Sequence, residues 1–479
     1  MKFFGRERQL DDLKGLWGKR VSSLCTCRGR RRIGKSTLIE QFAKMSNARF
    51  IKVEGVRPKD GYTNDDELSA FAVQLSAQTG SERTTPENWL NAFIRLDKEI
   101  RDDEKTVVLI DEISWFGYYD AMFPDMVKIV WDNYWKKHDR LIVVLCGSIS
   151  GWIKENIIDN GAFYGRRSLD MVVGELPLSQ CVKFWGAAAS RIETREMLDV
   201  LSVTGGVPRY LEEVDPSLSA ADNIKKMAFR ANSTLRTDFD EMFTDVVTRQ
   251  PRLSGRVIRR LAEGPMTVSE LAESLGMEKG GKLSAALGQL CEAGFVALDA
   301  GRNPETGAKI RERRYRIKDN YARFYLKYIE PSKESIDDGS YSFVSLSALD
   351  GWESVMGYAF ENLIVNNAVE LYPHLGIGGT TIESAAPFRS VRKDRSGRRR
   401  VCQIDLLVQT PRTAYVVEVK RKNIDGDVEK EVEEKMRLLH VRKNVSKRPV
   451  LVYDGEISPR VEADGYFAAL IPARKLLGL

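Results

Sequence analysis

Apolar runs alternate with helical stretches along the first third of the chain. Two continuous apolar runs, residues 106–110 and 141–146, are typical of strands buried on both faces of a parallel sheet. Because strands and helices alternate, we expect a doubly wound sheet whose ligand lies beyond the carboxyl ends of the strands. The predicted strands are 21–27, 50–54, 106–110 and 141–146, and the predicted helices are 67–78 and 89–100.

A glycine-rich stretch separates the first predicted strand from the helix after it. Its two glycines allow backbone N–H groups to surround a polyphosphate, and the helix starting near Lys35 adds the positive end of its dipole. We expect Lys35 to reach the β- and γ-phosphates of ATP and the Ser36 hydroxyl to ligate Mg²⁺. The alternative is a glycine-rich turn without a ligand. The stretch fits G-x-x-x-x-G-K-[ST] at every position and reads Gly29, Arg30, Arg31, Arg32, Ile33, Gly34, Lys35, Ser36 and Thr37.

An acidic pair follows the apolar run 106–110. Asp111 is placed to hold the water shell of Mg²⁺, and Glu112 is placed to orient or deprotonate an attacking water. Because this pair arrives at the right distance from the glycine-rich stretch, the two motifs together favour a nucleotide site over a chance turn.

Length and composition narrow the classes of protein. With 479 residues the chain is too long for one core, so we expect two to four domains. A net charge of +6 says little about partners until its distribution is known. Six scattered cysteines without C-x-x-C spacing indicate neither a zinc site nor a disulfide framework. The charged N-terminus and the lack of an eighteen-residue apolar run predict a cytoplasmic protein with no membrane span.

Several further segments resemble the archaeal-type, AAA-related ATPases of the STAND branch of P-loop NTPases. These segments are Phe4-Gly5-Arg6-Glu7, Gly165-Arg166-Arg167, Leu176-Pro177-Leu178 and residues 204–211, which read TGGVPRYL. The resemblance implies that Ser148 senses the γ-phosphate, unless it is a simple turn serine. It also implies that Arg166 or Arg167 acts as an arginine finger, with a solvated arginine pair as the alternative. Arg209 would sense phosphate from the lid, or would belong to a structural Gly-Pro corner.

The middle of the chain changes character after residue 250. Predicted helices at 253–262, 266–276 and 281–293 form a helix-turn-helix, and residues 294–317 predict a two-stranded wing. Together they resemble a winged-helix domain. The wing suits phosphate contacts, but winged helices also serve as packing modules, and the candidate recognition helix carries only Lys282 as a cation. The basic residues of the wing are Arg302, Lys309, Arg311, Arg313, Arg314 and Arg316.

The last domain carries a second set of charged residues. Glu361 lies on a predicted helix, Asp405 lies in the predicted strand 403–408, and Glu418 and Lys420 share one face of the predicted strand 414–420. This set resembles the PD-(D/E)xK nuclease core. The resemblance implies that Asp405, Glu418 and Glu361 ligate Mg²⁺ or Mn²⁺, and that Lys420 orients water or stabilises the pentavalent phosphate. The alternatives are an exposed ion pair and a retained fold without catalysis.

A basic segment, residues 389–400, lies between that helix and the acidic strand. It predicts a flexible hairpin tip around Ser396-Gly397, for which a phosphate backbone is the natural partner.

The sequence therefore predicts an α/β protein with a P-loop NTPase parallel sheet, a helical lid, a winged helix-turn-helix and a restriction-endonuclease-like C-terminal domain. The predicted function is an ATP-hydrolysing switch that gates a metal-dependent nuclease, with DNA favoured over RNA as partner and self-assembly as an option. The first alternative is an ATP-responsive DNA-binding regulator or scaffold, and a weaker one is an ATPase that acts on protein partners. The predicted domains are 1–174 (ATPase core), 175–250 (lid), 251–330 (winged helix), 331–350 (linker) and 351–479 (nuclease-like domain).

Overall fold

The structure of the protein, a computed structural model, describes residues 3–148, 150–247, 250–311, 313–393 and 396–479. It divides into two compact units, Met1–Glu175 and Leu176–Leu479.

A five-stranded parallel sheet organises the first unit, which confirms the predicted fold class of this part of the chain. The strand order is β2-β3-β4-β1-β5, and the paired strands are parallel throughout. β3 and β4 are buried at every position, as their continuous apolar sequence predicts. The strands are β1 (Ser23–Arg28), β2 (Arg49–Glu54), β3 (Thr106–Asp111), β4 (Leu141–Gly147) and β5 (Arg167–Val172).

Helices connect these strands. One apolar cluster of the first unit contains the fully buried Trp89, whose ring centroid lies 5.1 Å from that of Phe123. Edge-to-face aromatic contacts of this kind add to the free energy gained from burial. The helices of the first unit are α1 (Glu7–Trp17), α2 (Lys35–Met45), α3 (Asn64–Thr79), α4 (Trp89–Lys98), α5 (Ile113–Phe116), α6 (Phe123–Asn133) and α7 (Ser150–Ile153).

The polar character of β1 has a structural cause. Thr26 is fully buried, and its hydroxyl donates a 2.6 Å hydrogen bond to Asp170 on β5. β5 itself carries charged residues and lies at the edge of the sheet, so its sequence lacks the apolar run that revealed β3 and β4. The first strand runs from Ser23 to Arg28, whereas the sequence predicted residues 21–27. The sequence did not predict β5.

The second unit begins with a group of helices and continues into a small antiparallel sheet. The sheet has the order β6-β8-β7 and packs with three helices, residues 251–292. Thr267 caps the middle helix through a capping box with Glu270. The elements are α8 (Leu178–Cys181), α9 (Thr194–Thr204), α10 (Pro208–Leu211), α11 (Ala220–Ala228), α12 (Thr234–Val246), α13 (Pro251–Glu263), β6 (Met266–Thr267), α14 (Val268–Ser274), α15 (Gly281–Glu292), β7 (Val296–Leu298) and β8 (Arg314–Ile317).

A second five-stranded sheet organises the C-terminal part of the second unit. Its order is β13-β12-β11-β10-β9; β9, β10 and β11 pair antiparallel, whereas β11, β12 and β13 pair parallel. The elements are α16 (Asn320–Phe324), α17 (Lys333–Asp337), α18 (Trp352–Asn366), α19 (Ala368–Leu371), β9 (Ser384–Lys393), β10 (Arg399–Gln409), β11 (Thr413–Lys420), α20 (Asp427–Leu438), β12 (Ser446–Tyr453), α21 (Pro459–Asp464) and β13 (Ala469–Pro472).

Residues 331–350, predicted as a linker, contain helical turns in the structure. Asp337 of α17 forms an ion pair with Arg236 at 2.6 Å, and Lys333 forms one with Asp240 at 2.6 Å. The segment is therefore attached to α12. Among the described helices, none combines the length and the apolar character that a membrane crossing requires.

A close backbone approach follows β12 and supplies a test of the C-terminal fold. A Cβ atom at Gly455, whose φ is +149°, would lie 2.6 Å from the carbonyl oxygen of Lys422. We expect Gly455→Ala to lower the free energy of unfolding by more than about 1 kcal/mol. The matched change Gly357→Ala, in α18 with no atom within 4 Å of the new Cβ, should leave stability unchanged or raise it. Thermal unfolding of the full chain measures both, and equal melting temperatures for the two variants would contradict the described approach.

Candidate functional site

The glycine-rich stretch forms a tight loop between β1 and α2. Gly34 has φ of +84°, and a Cβ atom at Gly29 would lie 2.2 Å from the carbonyl oxygen of Val173. Both positions therefore require glycine. α2 begins at Lys35, so its free N–H groups and its dipole point into the loop.

Lys35 lies within this loop. Its side chain is buried, and its ammonium group donates to the carbonyl oxygens of Gly29 at 3.0 Å and Arg30 at 3.1 Å. Arg6, from the Phe4-Gly5-Arg6-Glu7 segment, donates a 3.0 Å hydrogen bond to the carbonyl of Ile33. The N-terminal segment is thus held against the loop.

Asp111 joins the loop to the end of β3. The Ser36 hydroxyl donates a 2.6 Å hydrogen bond to Asp111, and Lys52 of β2 lies 3.2 Å from the same carboxylate. Burial raises the pKa of Asp111, but the hydrogen bond from Ser36 and the charge of Lys52 outweigh it, so the net pKa is lowered. Asp111 therefore stays ionised, as a ligand of Mg²⁺ must be. Sequence reasoning missed Lys52, because only the pairing of β2 with β3 brings it to Asp111.

Glu112 and Ser148 form a hydrogen-bonded pair at the ends of β3 and β4. The Glu112 carboxylate accepts from the Ser148 hydroxyl at 2.8 Å and from the Ser148 backbone N–H at 3.1 Å. The structure thus brings Lys35, Ser36, Asp111, Glu112 and Ser148 to the carboxyl edge of one sheet. Ser148 contacts Glu112 directly, which the sequence did not indicate.

The predicted arginine finger residues are engaged in contacts within the first unit. Arg166 forms two hydrogen bonds with Asp132, at 2.8 and 2.9 Å, which together with its charge bring the pKa of Asp132 to about 2. Arg167 donates to the carbonyl oxygen of Ile158 at 3.1 Å. Arg209 belongs to the second unit, where it forms ion pairs with Glu212 at 3.7 Å and Glu213 at 3.3 Å.

The loop arginines also have local contacts. Arg30 lies 3.9 Å from Glu175, and the guanidinium of Arg31 lies 6.0 Å from the centre of the Trp115 ring. Arg32 adopts a positive φ of +66°. Ile33 is buried, while Thr37 is half-buried in the first turn of α2.

The acidic residues of the last domain converge at one end of β10 and β11. Asp405 accepts a 2.9 Å hydrogen bond from the backbone N–H of Val419, which fixes its carboxylate beside β11. Glu418 is 1% exposed, and one of its oxygens lies 2.8 Å from the ammonium group of Lys420. Glu418 and Lys420 share one face of β11, as predicted, and they form an ion pair, which was the alternative. The pair is not exposed, because Glu418 is buried and Lys420 is half-buried.

Helix α20 adds two residues that sequence reasoning missed. Lys435 lies 2.5 Å from the second oxygen of Glu418, and Glu431 lies 2.9 Å from Lys420 and 3.1 Å from Lys435. Glu431 and Lys435 are four residues apart on α20, so the sequence could have indicated that they lie on the same face of the helix that follows β11. Two lysines and Glu431 therefore surround Glu418.

Burial and like charge raise the pKa values of the carboxylates in this cluster. Glu361 reaches about 8, chiefly through burial and then through the charges of Asp405 and Glu418. Glu418 reaches about 7, again through burial first and the charge of Asp405 second. The pKa of Asp405 is raised mainly by burial. The negative charge of the cluster is thus incompletely compensated.

The donor chemistry of the cluster fits a divalent cation. Asp405, Glu418 and Glu361 offer hard carboxylate oxygens in a site where added positive charge would offset like-charge repulsion. In the arrangement described for the chain, however, no three acidic, histidine or cysteine side chains together form a metal-holding group. Both oxygens of Glu418 are instead engaged by Lys420 and Lys435.

Arginines of the small sheet attach it to the C-terminal part of the second unit. Arg316 is buried, lies 2.9 Å from Asp299, and donates to Asn362 and Asn366 of α18. Arg302 donates to the carbonyl of Glu383 at 3.1 Å. These arginines of the predicted basic wing thus serve packing, and Arg316 fixes the helix that carries Glu361.

The described part of the basic segment lies on β9 and β10, which pair antiparallel as a hairpin requires. Asp394 and Arg395 of this segment lie outside the described residues. Arg392 forms a 2.6 Å ion pair with Glu305, and the described arginine and lysine side chains of the segment are exposed. This concentration of exposed cations produces a local positive potential that attracts anions.

The raised pKa of Glu361 predicts a pH-dependent stability. Because the folded-state pKa of about 8 exceeds the ordinary value of 4.5, the folded chain holds this proton longer, and stability is lost as pH rises from near 4.5 to above 8. Glu361→Gln should therefore raise the melting temperature by several degrees above pH 8 and little near pH 5. The exposed control Glu456→Gln should show no such pH dependence in the same thermal scans. An equal effect of Glu361→Gln at both pH values would contradict the described burial.

Comparison with known proteins supports the first site. Residues 3–214 match the family described as "ATPase domain predominantly from Archaea". An uncharacterized protein of Methanocaldococcus jannaschii is 24% identical over 433 residues, covering 89% of this chain and 90% of its own length. The solved structure of a Walker-type ATPase of Pyrococcus abyssi, 16% identical, superposes with a TM-score of 0.51 and covers 68% of this chain and 96% of its own.

These comparisons cover different parts of the chain, and they differ in what they show. The Pyrococcus structure shows a shared fold, and the match to the Methanocaldococcus protein spans too much of the chain to stop at residue 214. The family match covers the phosphate loop, the Asp111-Glu112 pair and Ser148. The parallel sheet, the loop and the family match together support a P-loop ATPase that binds and hydrolyses ATP.

Proposed function

We propose that the protein is an ATP-hydrolysing switch coupled to a metal-dependent nuclease that acts on nucleic acid, DNA in preference to RNA. The observation that carries the nuclease part is the buried cluster of Asp405, Glu418 and Lys420, with Glu361 beside it. The ATPase part rests on the phosphate loop and the family match.

In the first unit, each residue has a distinct role. Lys35 would exchange the loop carbonyls for the β- and γ-phosphates of ATP, and Ser36 and Asp111 would hold Mg²⁺. Glu112 orients the attacking water, and its hydrogen bonds with Ser148 fix the position of its carboxylate. Arg166 and Arg167 remain the finger candidates, and acting on ATP would require Arg166 to leave Asp132.

Substitutions at Lys35 and Glu112 separate binding from hydrolysis. We expect Lys35→Ala to weaken ATP binding about 10-fold to 100-fold, as for a charge-assisted hydrogen bond worth about 1.5–3 kcal/mol. Glu112→Gln should retain ATP binding and lower turnover about 10²-fold to 10⁴-fold, because a general base is lost. Equilibrium binding of a fluorescent ATP analogue and phosphate release measure the two effects. Lys44→Ala, an exposed lysine of the same helix, is the control. Unchanged ATP turnover in Glu112→Gln would show that Glu112 does not act on the attacking water.

In the second unit, the order of elements supports the nuclease proposal. A helix with Glu361 precedes a hairpin with Asp405 and Glu418, and α20 follows, as in the PD-(D/E)xK core. Asp405, Glu418 and Glu361 would hold Mg²⁺ or Mn²⁺, which activates water and clamps a phosphate oxygen. Lys420 then neutralises charge on the attacked phosphate. Lys435 neutralises Glu418 while no cation is bound.

The exposed hairpin 389–400 gives this site a route to nucleic acid. Its cations would contact the phosphate backbone, so binding should weaken as salt rises. The three helices α13, α14 and α15 with the small sheet resemble a winged helix. Because Arg302 and Arg316 are used in packing, we assign the hairpin, rather than the wing, the main share of the phosphate contacts.

A contact inside the second unit supports coupling between the predicted lid and the nuclease site. Arg421, next to Lys420, is 4% exposed and pairs with Asp199 of α9 and, at 3.3 Å, with Glu353 of α18. α9 leads directly into Gly205-Gly206 and Arg209, the predicted phosphate sensor. A shift of α9 on ATP binding would therefore move Arg421 and, with it, Lys420.

Cleavage of labelled DNA and RNA, single- and double-stranded, tests the whole proposal. Reactions contain Mg²⁺ or Mn²⁺, with and without ATP. We expect the wild type to cut, Asp405→Ala to lose cutting because a metal ligand is gone, and Lys35→Ala to lose the response to ATP.

Glu456→Ala, which removes an exposed carboxylate of the same domain, should cut like the wild type. If the Asp405→Ala variant still cuts, the cleavage comes from a contaminant or from another site. No cutting on any substrate, with ATP hydrolysis and DNA binding retained, would replace the nuclease by the second candidate below.

The second candidate is an ATP-responsive DNA-binding regulator or scaffold with a non-catalytic nuclease fold. Two observations favour it: both oxygens of Glu418 are paired with lysines, and no metal-holding group of three side chains forms within the described part of the chain. A site in which Lys420 and Lys435 stay paired with Glu418 would hold no metal and would not cut, and the basic hairpin would supply the phosphate contacts.

A further inference from the structure

A cavity of about 500 Å³ lies inside the second unit beside the carboxylate cluster. Its walls come from α18, from the paired strands β9 and β10, and from the region of the small sheet. The lining residues of that last region include Asp299, Gly301, Ile310, Arg313, Arg314 and Arg316. Glu361 and Asp405 both line it. The cavity therefore opens the proposed nuclease site to a ligand on the side that faces the small sheet.

One part of the wall is apolar and aromatic. It includes Tyr358 and Val365 of α18 and Phe388 of β9. The guanidinium of Arg323 lies 4.1 Å from the centre of the Tyr358 ring, which holds that ring in place. A planar, partly apolar group such as a nucleobase suits such a wall, since bases stack on aromatic side chains.

A second part of the wall is basic. Arg313 and Arg389 line the cavity with exposed side chains. Arg314 and Arg316, which also line it, are held by ion pairs with Glu270 at 2.7 Å and Asp299 at 2.9 Å. Arg313 and Arg389 are thus the cations best placed to meet phosphate, and Arg389 continues into the basic hairpin.

We propose that this cavity receives one unpaired nucleotide of a nucleic acid strand, with its base on the apolar wall and its phosphate between the arginines and the carboxylates. The inference rests on the proposed nuclease function and names its substrate class: single strands, strand ends or overhangs, rather than continuous duplex.

The size of the cavity favours an unpaired nucleotide over duplex. Ligand cavities of about 300–1,000 Å³ hold single small molecules, so this one has room for one nucleotide and not for a stacked base pair with its neighbours. Arg316 connects the small sheet to Asn362 and Asn366 of α18 by hydrogen bonds, so the side of the cavity formed by the small sheet is held in place. A paired base must leave its stack to enter the cavity, which costs free energy, whereas an unpaired base avoids that cost.

Filling the cavity tests the inference without touching the carboxylates. Val365→Trp places a large side chain in the cavity, and Val369→Trp places the same side chain on a residue that is 69% exposed and does not line it. Fluorescence anisotropy of the full chain in Ca²⁺ measures binding of a labelled single-stranded DNA, its RNA counterpart, an overhang duplex and a blunt duplex. Melting curves and ATP turnover of both variants check that they fold.

We expect the wild type and Val369→Trp to bind the unpaired probes more tightly than blunt duplex. Val365→Trp should weaken unpaired binding about tenfold, as the loss of one stacked base implies. If Val365→Trp fails to fold, Arg389→Ala against the exposed control Arg412→Ala gives the same comparison. Equal binding of all probes, or unchanged binding by the folded Val365→Trp variant or by Arg389→Ala, would overturn the inference.

The outcome separates this inference from the nuclease proposal. A preference for unpaired strands that Val365→Trp abolishes, without cleavage by the wild type, supports the cavity as a nucleotide site and removes the nuclease. Metal-dependent cutting of blunt duplex that Val365→Trp leaves unchanged supports the nuclease and removes the cavity as its substrate pocket.

Discussion

Buried negative charge at the ends of strands is the constraint on which both sites depend. Asp111 ends β3 and Glu418 lies near the end of β11, and each carboxylate is almost entirely removed from water. A buried carboxylate must be paired with a cation or become protonated. Lysines form ion pairs with both carboxylates. Lys52 pairs with Asp111 at the first site, and Lys420 and Lys435 pair with Glu418 at the second.

The balance of charge differs between the two sites, and so does what each can do. At Asp111 one lysine and the Ser36 hydroxyl suffice to keep the pKa low, so the carboxylate is ready for Mg²⁺ at any physiological pH. At the second site two lysines leave the pKa of Glu361 at about 8 and that of Glu418 at about 7. A divalent cation would offset uncompensated negative charge at the second site, so the metal binding that we propose there should depend on pH. The contact of Arg421 with Asp199 places this sensitive site within reach of the helix that leads to Arg209.

The sequence revealed what is encoded locally. The phosphate loop, the pair Asp111-Glu112 and the hairpin with Asp405 and Glu418 depend on short patterns, and the structure brings their members together. The sequence could not reveal that Lys52, Glu431 and Lys435 contact these charged residues, because only strand pairing and helix packing bring them there. β5 was missed because an edge strand needs no apolar run. The sequence left packing open as a role for the basic wing, and it could not identify Glu383, Asn362 and Asn366 as partners of Arg302 and Arg316, because they lie more than forty residues away along the chain.

Binding of Mn²⁺ to the nucleotide-free protein tests the central claim most directly. Titration calorimetry above pH 8 should detect a bound ion in the wild type and in Ser36→Ala, which removes the proposed Mg²⁺ ligand of the ATP site. The same ion should be lost in Asp405→Asn, because its carboxylate ligand is replaced by a neutral amide. Mn²⁺ binding that disappears in Ser36→Ala and persists in Asp405→Asn would contradict the account, since the C-terminal carboxylates would then be held by their lysines alone.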